Sequence, residues 1–308
     1  MVNRVIIRIK VLQIIYAYYL KGNNDLLQAE NELMMSLQKA HDLYHYLLLL
    51  IPLLTDVEQK RLDIRKHKYL ASEKDKNPNT RFIDNRLASQ LSNNKSLLNF
   101  ANEKGYLWDE DATLLKTLLN TILSLDIYQE YLDSKDNYAS DKEFWRIIFK
   151  QVIINNEHIA EFLEERNIFW NDDIDIIGTF ALKSIKRMQE SSPRDIALLP
   201  MFKDDEDKEF AVNLLRYAIQ EADNCDTRVS KHIHNWDIER IATIDMYIMQ
   251  LALAEILHFD SIPVSVSLNE YIDMAKYYSS PKSGIFINGI LDVIVSDLKK
   301  EKLLFKNE

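Results

Sequence analysis

The first 24 residues contain four basic residues and no acidic residue, in a chain whose formal net charge is −10. Arg4 and Arg8 are four positions apart, so in a helix both guanidinium groups lie on one face and could contact phosphates. Lys10 lies two positions further on, and Tyr16 adds a ring that could stack on a base. The charge pattern alone also fits a short helix with ordinary surface arginines, so both interpretations stay open at this point.

Residues 60–68 form a second basic stretch. Asp63 interrupts it, and the other non-basic positions are Leu62, Ile64 and His67. We interpret this stretch as a solvated helix face, on which charged side chains are common. Its basic members are Lys60, Arg61, Arg65, Lys66 and Lys68.

Two kinds of cluster resemble metal sites. His41 and His45 lie one helical turn apart with Asp42 beside the first, which imitates the HExxH zinc motif, although Asp replaces Glu and no third ligand motif follows. Acidic clusters at 172–175 and 204–207 resemble paired-carboxylate magnesium sites. Each lies where a helix is predicted to begin, and carboxylates stabilise that end of a helix dipole. We therefore expect no metal, no cofactor and no catalytic residue, with a metal-dependent helical enzyme as an alternative.

Cysteine usage and hydropathy bear on the compartment. Cys225 is the single cysteine, so the chain has no internal disulfide, which fits a reducing environment. Asp223 and Asp226 lie beside it, and nearby carboxylates disfavour a reactive thiolate. The longest apolar run, 47–54, is far shorter than a membrane span. We expect a cytoplasmic protein with no membrane partner.

The elements that position these residues are predicted to be helices. The chain has only 5 Gly and 6 Pro in 308 residues, and turns, hairpins and phosphate loops depend on these two residue types. Apolar residues recur at helical spacing. A first helix is predicted over 4–20, and a second is predicted to kink or restart at Pro52. The predicted fold class is all-α.

Three blocks near the end of the chain follow one another in a specific order. They read NWDIERIATIDMYIMQLALAEIL at 235–257, IPVSVSLNEYIDMAK at 262–276 and FINGILD at 286–292. A fourth block at the start reads RIKVLQIIYAYYLKGN at 8–23. Together these blocks resemble the NusB family of bacterial transcription antitermination factors, over about 3–24 and 204–298.

The resemblance implies a NusB-like helical bundle with a long inserted helical region. The first helix of the NusB-like domain would occupy 1–24, and its C-terminal helical domain would occupy 204–308. Residues 25–203 have no counterpart in the family pattern and are predicted to be a helical insertion or extension of unknown role.

The resemblance also implies a binding protein and not an enzyme. Members of the family bind boxA-type RNA of ribosomal RNA operon leaders together with the ribosomal protein NusE. They reach RNA polymerase indirectly, with other Nus factors. A NusB-like domain that serves an RNA-modifying enzyme, or ribosome assembly, is an alternative, although such an enzyme needs an additional cofactor-binding domain and a catalytic cysteine.

The resemblance also implies roles for individual residues, through the positions that match the family pattern. The arginine-rich first helix of the family corresponds here to Arg4 and Arg8, with Lys10 and Tyr16 as neighbouring RNA-binding candidates. We expect alanine at both arginines to weaken binding of boxA-type RNA and to leave the fold intact. Further candidates for a partner or RNA surface are Asp245 and Lys282.

Five residues of the C-terminal blocks are interpreted as structural. Asn269 and Glu270 are predicted to open a helix, where the carboxylate would stabilise the dipole. Gly289 lies inside a predicted helix, where glycine costs about 1 kcal/mol relative to alanine, so we expect a close helix contact there. Phe286 is expected to pack, and Asn288 to bond a neighbouring helix end.

Overall fold

The computed structural model describes residues 1–22, 25–104, 112–154, 156–170, 173–193, 195–233, 241–304 and 306. Regular structure in these ranges is helical, with no β-strand, which confirms the predicted all-α class. Within the same ranges, none of the helices combines the length and the hydropathy needed to cross a membrane.

The chain divides into two compact units. Unit 1 comprises Met1 and Gln38–Met201, and unit 2 comprises Val2–Leu37 and Phe202–Glu308. Both the start and the end of the chain therefore contribute to unit 2. The predicted domain limits of 1–24, 25–203 and 204–308 stay a prediction, and the structural division falls at 37/38 and 201/202.

Unit 2 begins with α1, whose two ends follow from local chemistry. The Asn3 side chain caps the helix by accepting from the Ile6 amide, at 3.0 Å. Gly22 ends it with φ of 63°, a left-handed conformation that glycine adopts without strain. The helices that lie wholly in unit 2 are α1 (Arg4–Lys21), α11 (Asp205–Gln220), α12 (Ala222–His232), α13 (Thr243–His258), α14 (Val264–Tyr278) and α15 (Pro281–Lys300).

Helix α13 is the core of unit 2. Its residues from Ile248 to Ile256 are all buried, so it has no polar face along this stretch, as its nearly continuous apolar sequence predicts. It packs against α1, α11, α12, α14 and α15. This central helix positions the residues that α1 and α14 bring to it.

Unit 1 contains shorter helices and most of one long helix, α2 (Leu26–Lys66), whose first residues belong to unit 2. Helix α2 continues through Pro52, so the prediction of a restart there is wrong. A π-helical turn, Phe149–Ile154, extends α8, and a 3₁₀ turn spans Ile168–Trp170. The other helices are α3 (Glu73–Lys76), α4 (Arg86–Ser92), α5 (Lys95–Lys104), α6 (Ala112–Ser124), α7 (Asp126–Asp133), α8 (Tyr138–Ile148), α9 (Glu157–Arg166) and α10 (Ile174–Arg187).

Candidate functional site

A buried ion pair connects α1 to the central helix of unit 2. Arg8 Nε donates to Glu255 Oε2 and Arg8 Nη2 donates to Glu255 Oε1, both at 2.8 Å. The third nitrogen, Nη1, donates to Glu270 Oε2 of α14 at 3.2 Å. One guanidinium group thereby holds three helices, α1, α13 and α14, in register.

Glu255 has further partners. Ser267 donates its hydroxyl to Oε1 at 2.7 Å, and Tyr271 donates to Oε2 at 3.0 Å. Burial opposes the charge on Arg8, but the hydrogen bonds and negative charge of Glu255 raise the Arg8 pKa above its ordinary value. Burial and the same carboxylate raise the pKa of Tyr271 well above its ordinary value. Every side-chain nitrogen of Arg8 and both carboxylate oxygens of Glu255 therefore have a hydrogen-bond partner.

The burial of Arg8 changes the interpretation of the basic cluster. Arg8 is 3% exposed and Lys10 is fully buried, so neither side chain is presented to solvent in this structure. A phosphate contact needs an accessible guanidinium or ammonium group. This geometry does not favour the predicted RNA contacts of Arg8 and Lys10, because tertiary packing covers both side chains.

Sequence reasoning missed Glu255, although a signal was present. It is the single charged residue among the apolar and buried positions from Ile248 to Ile256. A charge in such a position predicts a buried partner of opposite sign, since an unpaired buried carboxylate is strongly disfavoured. The partner, Arg8, lies 247 positions earlier in the chain, so spacing could not identify it.

Arg4 is the accessible member of the predicted arginine pair. Its side chain is 37% exposed, and Nε lies 3.6 Å from Oδ1 of Asp207. Its guanidinium carbon lies 5.0 Å from the ring centre of Phe210, which Arg8 also approaches, at 5.6 Å. Arg4 and Arg8 thus share one helix face, as their spacing predicts, but only Arg4 can reach a ligand from solvent.

Tyr16 belongs to an exposed aromatic group. Tyr16 is 45% exposed and meets Tyr247 edge to face, with ring centres 6.1 Å apart. Tyr19 stacks on Tyr247 at 5.1 Å, and Gln250 Nε2 donates to the Tyr19 hydroxyl at 2.9 Å. The ring of Tyr16 is therefore partly exposed at the surface, which suits the predicted stacking role.

Asp245 and Lys282 have opposite environments. Asp245 lies in the first turn of α13 and is buried, and its Oδ1 has no hydrogen-bond partner in the part of the chain that the structure describes. A buried carboxylate does not form the predicted partner surface by itself. Lys282 is exposed in the first turn of α15, a turn without acidic residues.

Two predictions on the structural residues are wrong. Helix α14 begins at Val264, so Asn269 and Glu270 lie in its second turn, and Glu270 pairs with Arg8 and not with the helix dipole. Gly289 is exposed, and a Cβ there would meet no atom within 4 Å. The close contact of α15 with α14 lies instead at Gly284, where a Cβ would be 3.0 Å from Lys276 Cγ.

The other signature residues occupy intermediate positions. Phe286 and Asn288 are both half-buried on α15. Gly284 and Ile287 are both buried, and the helical spacing places Phe286 on a different side of α15 from each of them. The predicted bond of Asn288 to a neighbouring helix end stays a prediction.

The described residues of the clusters that resemble metal sites have local partners. His41 Nε2 donates to the Leu199 carbonyl at 2.9 Å, and His45 Nδ1 donates to the His41 carbonyl at 2.9 Å. Burial lowers the pKa of His41 to about 4, although the hydrogen bond to the Leu199 carbonyl acts in the opposite direction. Asp204 caps α11 by accepting from the Asp207 amide at 3.1 Å, which confirms the predicted capping role. Part of the 172–175 cluster lies outside the described residues.

Cys225 is unsuited to nucleophilic chemistry. It is buried in α12, and burial, followed by the charges of Asp226 and Glu221, raises the pKa of its thiol to about 12. A reactive cysteine needs a thiolate near neutral pH. The environment of this thiol therefore agrees with the predicted inertness and does not support a catalytic cysteine of an RNA-modifying enzyme.

Comparison with known proteins agrees with this arrangement. The model of the NusB family matches residues 180–296. The chain is similar to the transcription antitermination protein NusB of Salinibacter ruber, with 37% identity over 117 residues, which cover 38% of this chain and 73% of that protein. The protein of the same name from Chloroherpeton thalassium is 41% identical over 100 residues, which cover 32% of this chain and 47% of that protein.

A third relative gives the same result. The transcription antitermination protein NusB of Bacillus pumilus is 35% identical over 105 residues, which cover 34% of this chain and 80% of that protein. No solved structure matches the chain. The matched range of the family model includes α11–α14 and most of α15 but not α1, so the likeness of the first helix rests on its own residues.

Proposed function

The chain belongs to the NusB family, and we propose that it is an RNA-binding transcription antitermination factor that acts on boxA-type RNA of ribosomal RNA operon leaders. It acts together with the ribosomal protein NusE, and through other Nus factors it reaches RNA polymerase. In this proposal the chain binds RNA and protein and catalyses no reaction. The observation that carries the proposal is the 37% identity to a relative named transcription antitermination protein NusB, over 73% of that relative.

The surface of unit 2 supports a reduced set of RNA contacts. Arg4, Tyr16 and Lys282 are accessible, whereas Arg8 and Lys10 are buried. Arg4 and Lys282 supply positive charge for phosphates, and Tyr16 supplies a ring for one base. Arg8 acts indirectly, because its bonds to Glu255 and Glu270 hold the helix that carries Arg4 and Tyr16.

A binding measurement tests this proposal. Fluorescence anisotropy of a labelled boxA-type RNA oligonucleotide, with NusE present, gives the affinity of the whole chain. Arg4→Ala combined with Lys282→Ala should weaken the affinity at least about tenfold, because two phosphate contacts are lost. Both side chains are accessible, so we expect the variant to fold normally.

The matched control replaces two exposed lysines at other positions of unit 2. Lys231→Ala with Lys300→Ala removes the same charge, and Lys300 lies at the opposite end of α15 from Lys282. This control should bind as the unmodified chain does. Equal loss of affinity in both double variants would contradict the assignment of the RNA surface, and no binding by the unmodified chain would contradict the function.

A further inference from the structure

A groove lies between two helices of unit 1, and four basic residues of the stretch at 60–68 line it. It has a volume of about 1010 Å³ and is lined by one face of α2 and one face of α6. The α2 positions are 56, 57, 60, 61, 64 and 65, and the α6 positions are 112, 115, 116, 119 and 120; Lys68, just after α2, and Asp75 of α3 also line the groove. Both sets follow the spacing of three and four that defines a single helix face.

The floor of the groove is aliphatic. It is formed by Val57 and Ile64 of α2 and by Leu115 and Leu119 of α6. Leu115 and Leu119 are only 1% and 2% exposed, whereas Val57 is half-buried and Ile64 is 69% exposed. The accessible apolar area of the groove is therefore mainly on α2, in a volume at the upper end of the range for ligand pockets.

The rim of the groove is basic. Among the lining residues that the structure describes, five are cationic and two, Asp56 and Asp75, are carboxylates, so their formal charge is about +3 by the counting rule for ionised side chains at neutral pH. The whole chain carries −10, so the sign is reversed locally. The five cationic residues are Lys60, Arg61, Arg65, Lys68 and Lys116.

Local bonds hold part of this rim in position. Arg61 Nη1 donates to Asn120 Oδ1 at 3.3 Å, which connects α2 to α6. Arg65 Nε donates to Asp75 Oδ1 at 2.8 Å. Hydrogen bonds from Ser72, followed by that of Arg65, lower the pKa of Asp75 to about 2. Lys68 and Lys116 have no side-chain hydrogen bond or ion pair with any residue that the structure describes.

The geometry points to one class of occupant. We propose that this groove binds an amphipathic helix of a partner protein, whose aliphatic stripe is flanked by Glu and Asp residues. Its apolar side chains, at i, i+3, i+4 and i+7, cover the floor between Val57 and Leu119. Its carboxylates face Lys60, Lys68 and Lys116 across the rim.

A protein helix fits this groove better than single-stranded RNA does. Proteins that bind single strands combine a basic groove with aromatic platforms for the bases. Among the lining residues that the structure describes, none is aromatic. Because those lining residues all belong to unit 1, this inference is independent of the RNA surface of unit 2.

The first experiment uses a designed probe and the full chain. The probe is a fluorescein-labelled helical peptide of about 18 residues, with Leu at i, i+3, i+4 and i+7 and Glu on both flanks. Lys60→Glu with Lys116→Glu should weaken its binding at least about tenfold, because attraction on the rim becomes repulsion. The matched control, Lys66→Glu with Lys183→Glu, makes the same change in charge at exposed lysines outside the groove and should bind normally.

A second variant pair tests the apolar floor. Ile64→Asp should weaken binding of the peptide to a similar extent, whereas Ile168→Asp, at an isoleucine of unit 1 that is 79% exposed, should not. Circular dichroism checks that each variant is folded. We expect both to fold, because both isoleucine side chains are largely exposed. Equal affinity of the Ile64 and Ile168 variants overturns the proposal.

Two competitors separate the remaining explanations. A scrambled peptide of equal charge without the apolar stripe should bind at least about tenfold more weakly, and equal binding means charge attraction alone and overturns the proposal. A single-stranded RNA oligonucleotide should not displace the peptide. If the RNA binds and the peptide does not, and if the variant with Lys60→Glu and Lys116→Glu loses the RNA, then RNA is the occupant of the groove. This result would also overturn the proposal.

Discussion

Arg8 and Glu255 form two parallel hydrogen bonds of 2.8 Å in the core of unit 2, although 247 positions separate them in the chain. Arg8 is 3% exposed and Glu255 is fully buried. A buried pair of this kind stabilises little relative to apolar residues, but the loss of one partner leaves an uncompensated charge. This asymmetry makes Arg8 a structural residue with a measurable cost of removal.

Arg8→Ala should lower the free energy of unfolding by about 3–5 kcal/mol, because it leaves Glu255 buried and unpaired. Arg4→Ala should lower it by less than about 1 kcal/mol, since the Arg4–Asp207 pair is partly exposed. Urea denaturation followed by circular dichroism measures both. The structure thus corrects the expectation that alanine at both arginines leaves the fold intact.

A second substitution provides the control for the Arg8 prediction. Glu255→Gln removes the charge; its carbonyl oxygen can accept from one of the Ser267 and Tyr271 hydroxyls, and its amide NH2 can donate to the other. Added to Arg8→Met, it should recover part of the lost stability. If Arg8→Met is as stable as the unmodified chain, the ion pair does not hold α1 in place.

Gly289→Ala should raise the free energy of unfolding by about 1 kcal/mol. The new methyl group meets no atom within 4 Å, and alanine is the better residue inside a helix. Gly178→Ala on α10 is the contrasting variant, because its Cβ would lie 2.6 Å from Ile154 Cγ1. Overpacking costs about 1–3 kcal/mol, so this variant should be less stable than the unmodified chain. Thermal denaturation should show a higher stability for Gly289→Ala and a lower stability for Gly178→Ala than for the unmodified chain. A destabilised Gly289 variant would contradict the open environment of this position.

The stability of unit 1 should fall between about pH 6.5 and pH 4. Burial lowers the pKa of His41 to about 4 in the folded chain, whereas an unfolded histidine titrates near 6.5. The unfolded chain therefore binds more protons in this range, and the stabilisation is complete above pH 6.5 and lost as the pH falls. The His41 contribution is at most about 3 kcal/mol.

Urea denaturation at a series of pH values, followed by tryptophan fluorescence, measures this dependence. Trp145 and Trp170 are buried in unit 1 and should report its unfolding. His41→Gln supplies an uncharged donor for the Leu199 carbonyl and should flatten the curve between pH 6.5 and pH 4. Parallel curves for the variant and the unmodified chain would show that His41 does not cause the dependence.

Binding of boxA-type RNA should weaken with salt, and the dependence should report the number of phosphate contacts. For a single strand each contact contributes about 0.7 to the slope of log K against log salt concentration. Arg4→Ala with Lys282→Ala should reduce the slope by about 1.4. Lys231→Ala with Lys300→Ala should leave it unchanged. An identical slope in all three proteins would remove Arg4 and Lys282 from the RNA surface.

Local features of the fold were predictable from the sequence. The scarcity of Gly and Pro and the apolar spacing predicted helices, and α1 begins and ends close to its predicted limits of 4–20. The capping role of Asp204 was also predictable, because its partner, the Asp207 amide, lies three positions away. Interactions of this kind depend on the chain within one helical turn.

The sequence by itself determined the helical class, the family blocks and the shared face of Arg4 and Arg8. Only the tertiary structure decided that Arg8 is a buried partner of Glu255, that Arg4 stays accessible, and that Gly289 lies in open space. It also brought a face of α2 and a face of α6 together in one basic groove. The physical reason is that exposure depends on which distant segments pack against a side chain, and helical spacing specifies only the direction in which that side chain points.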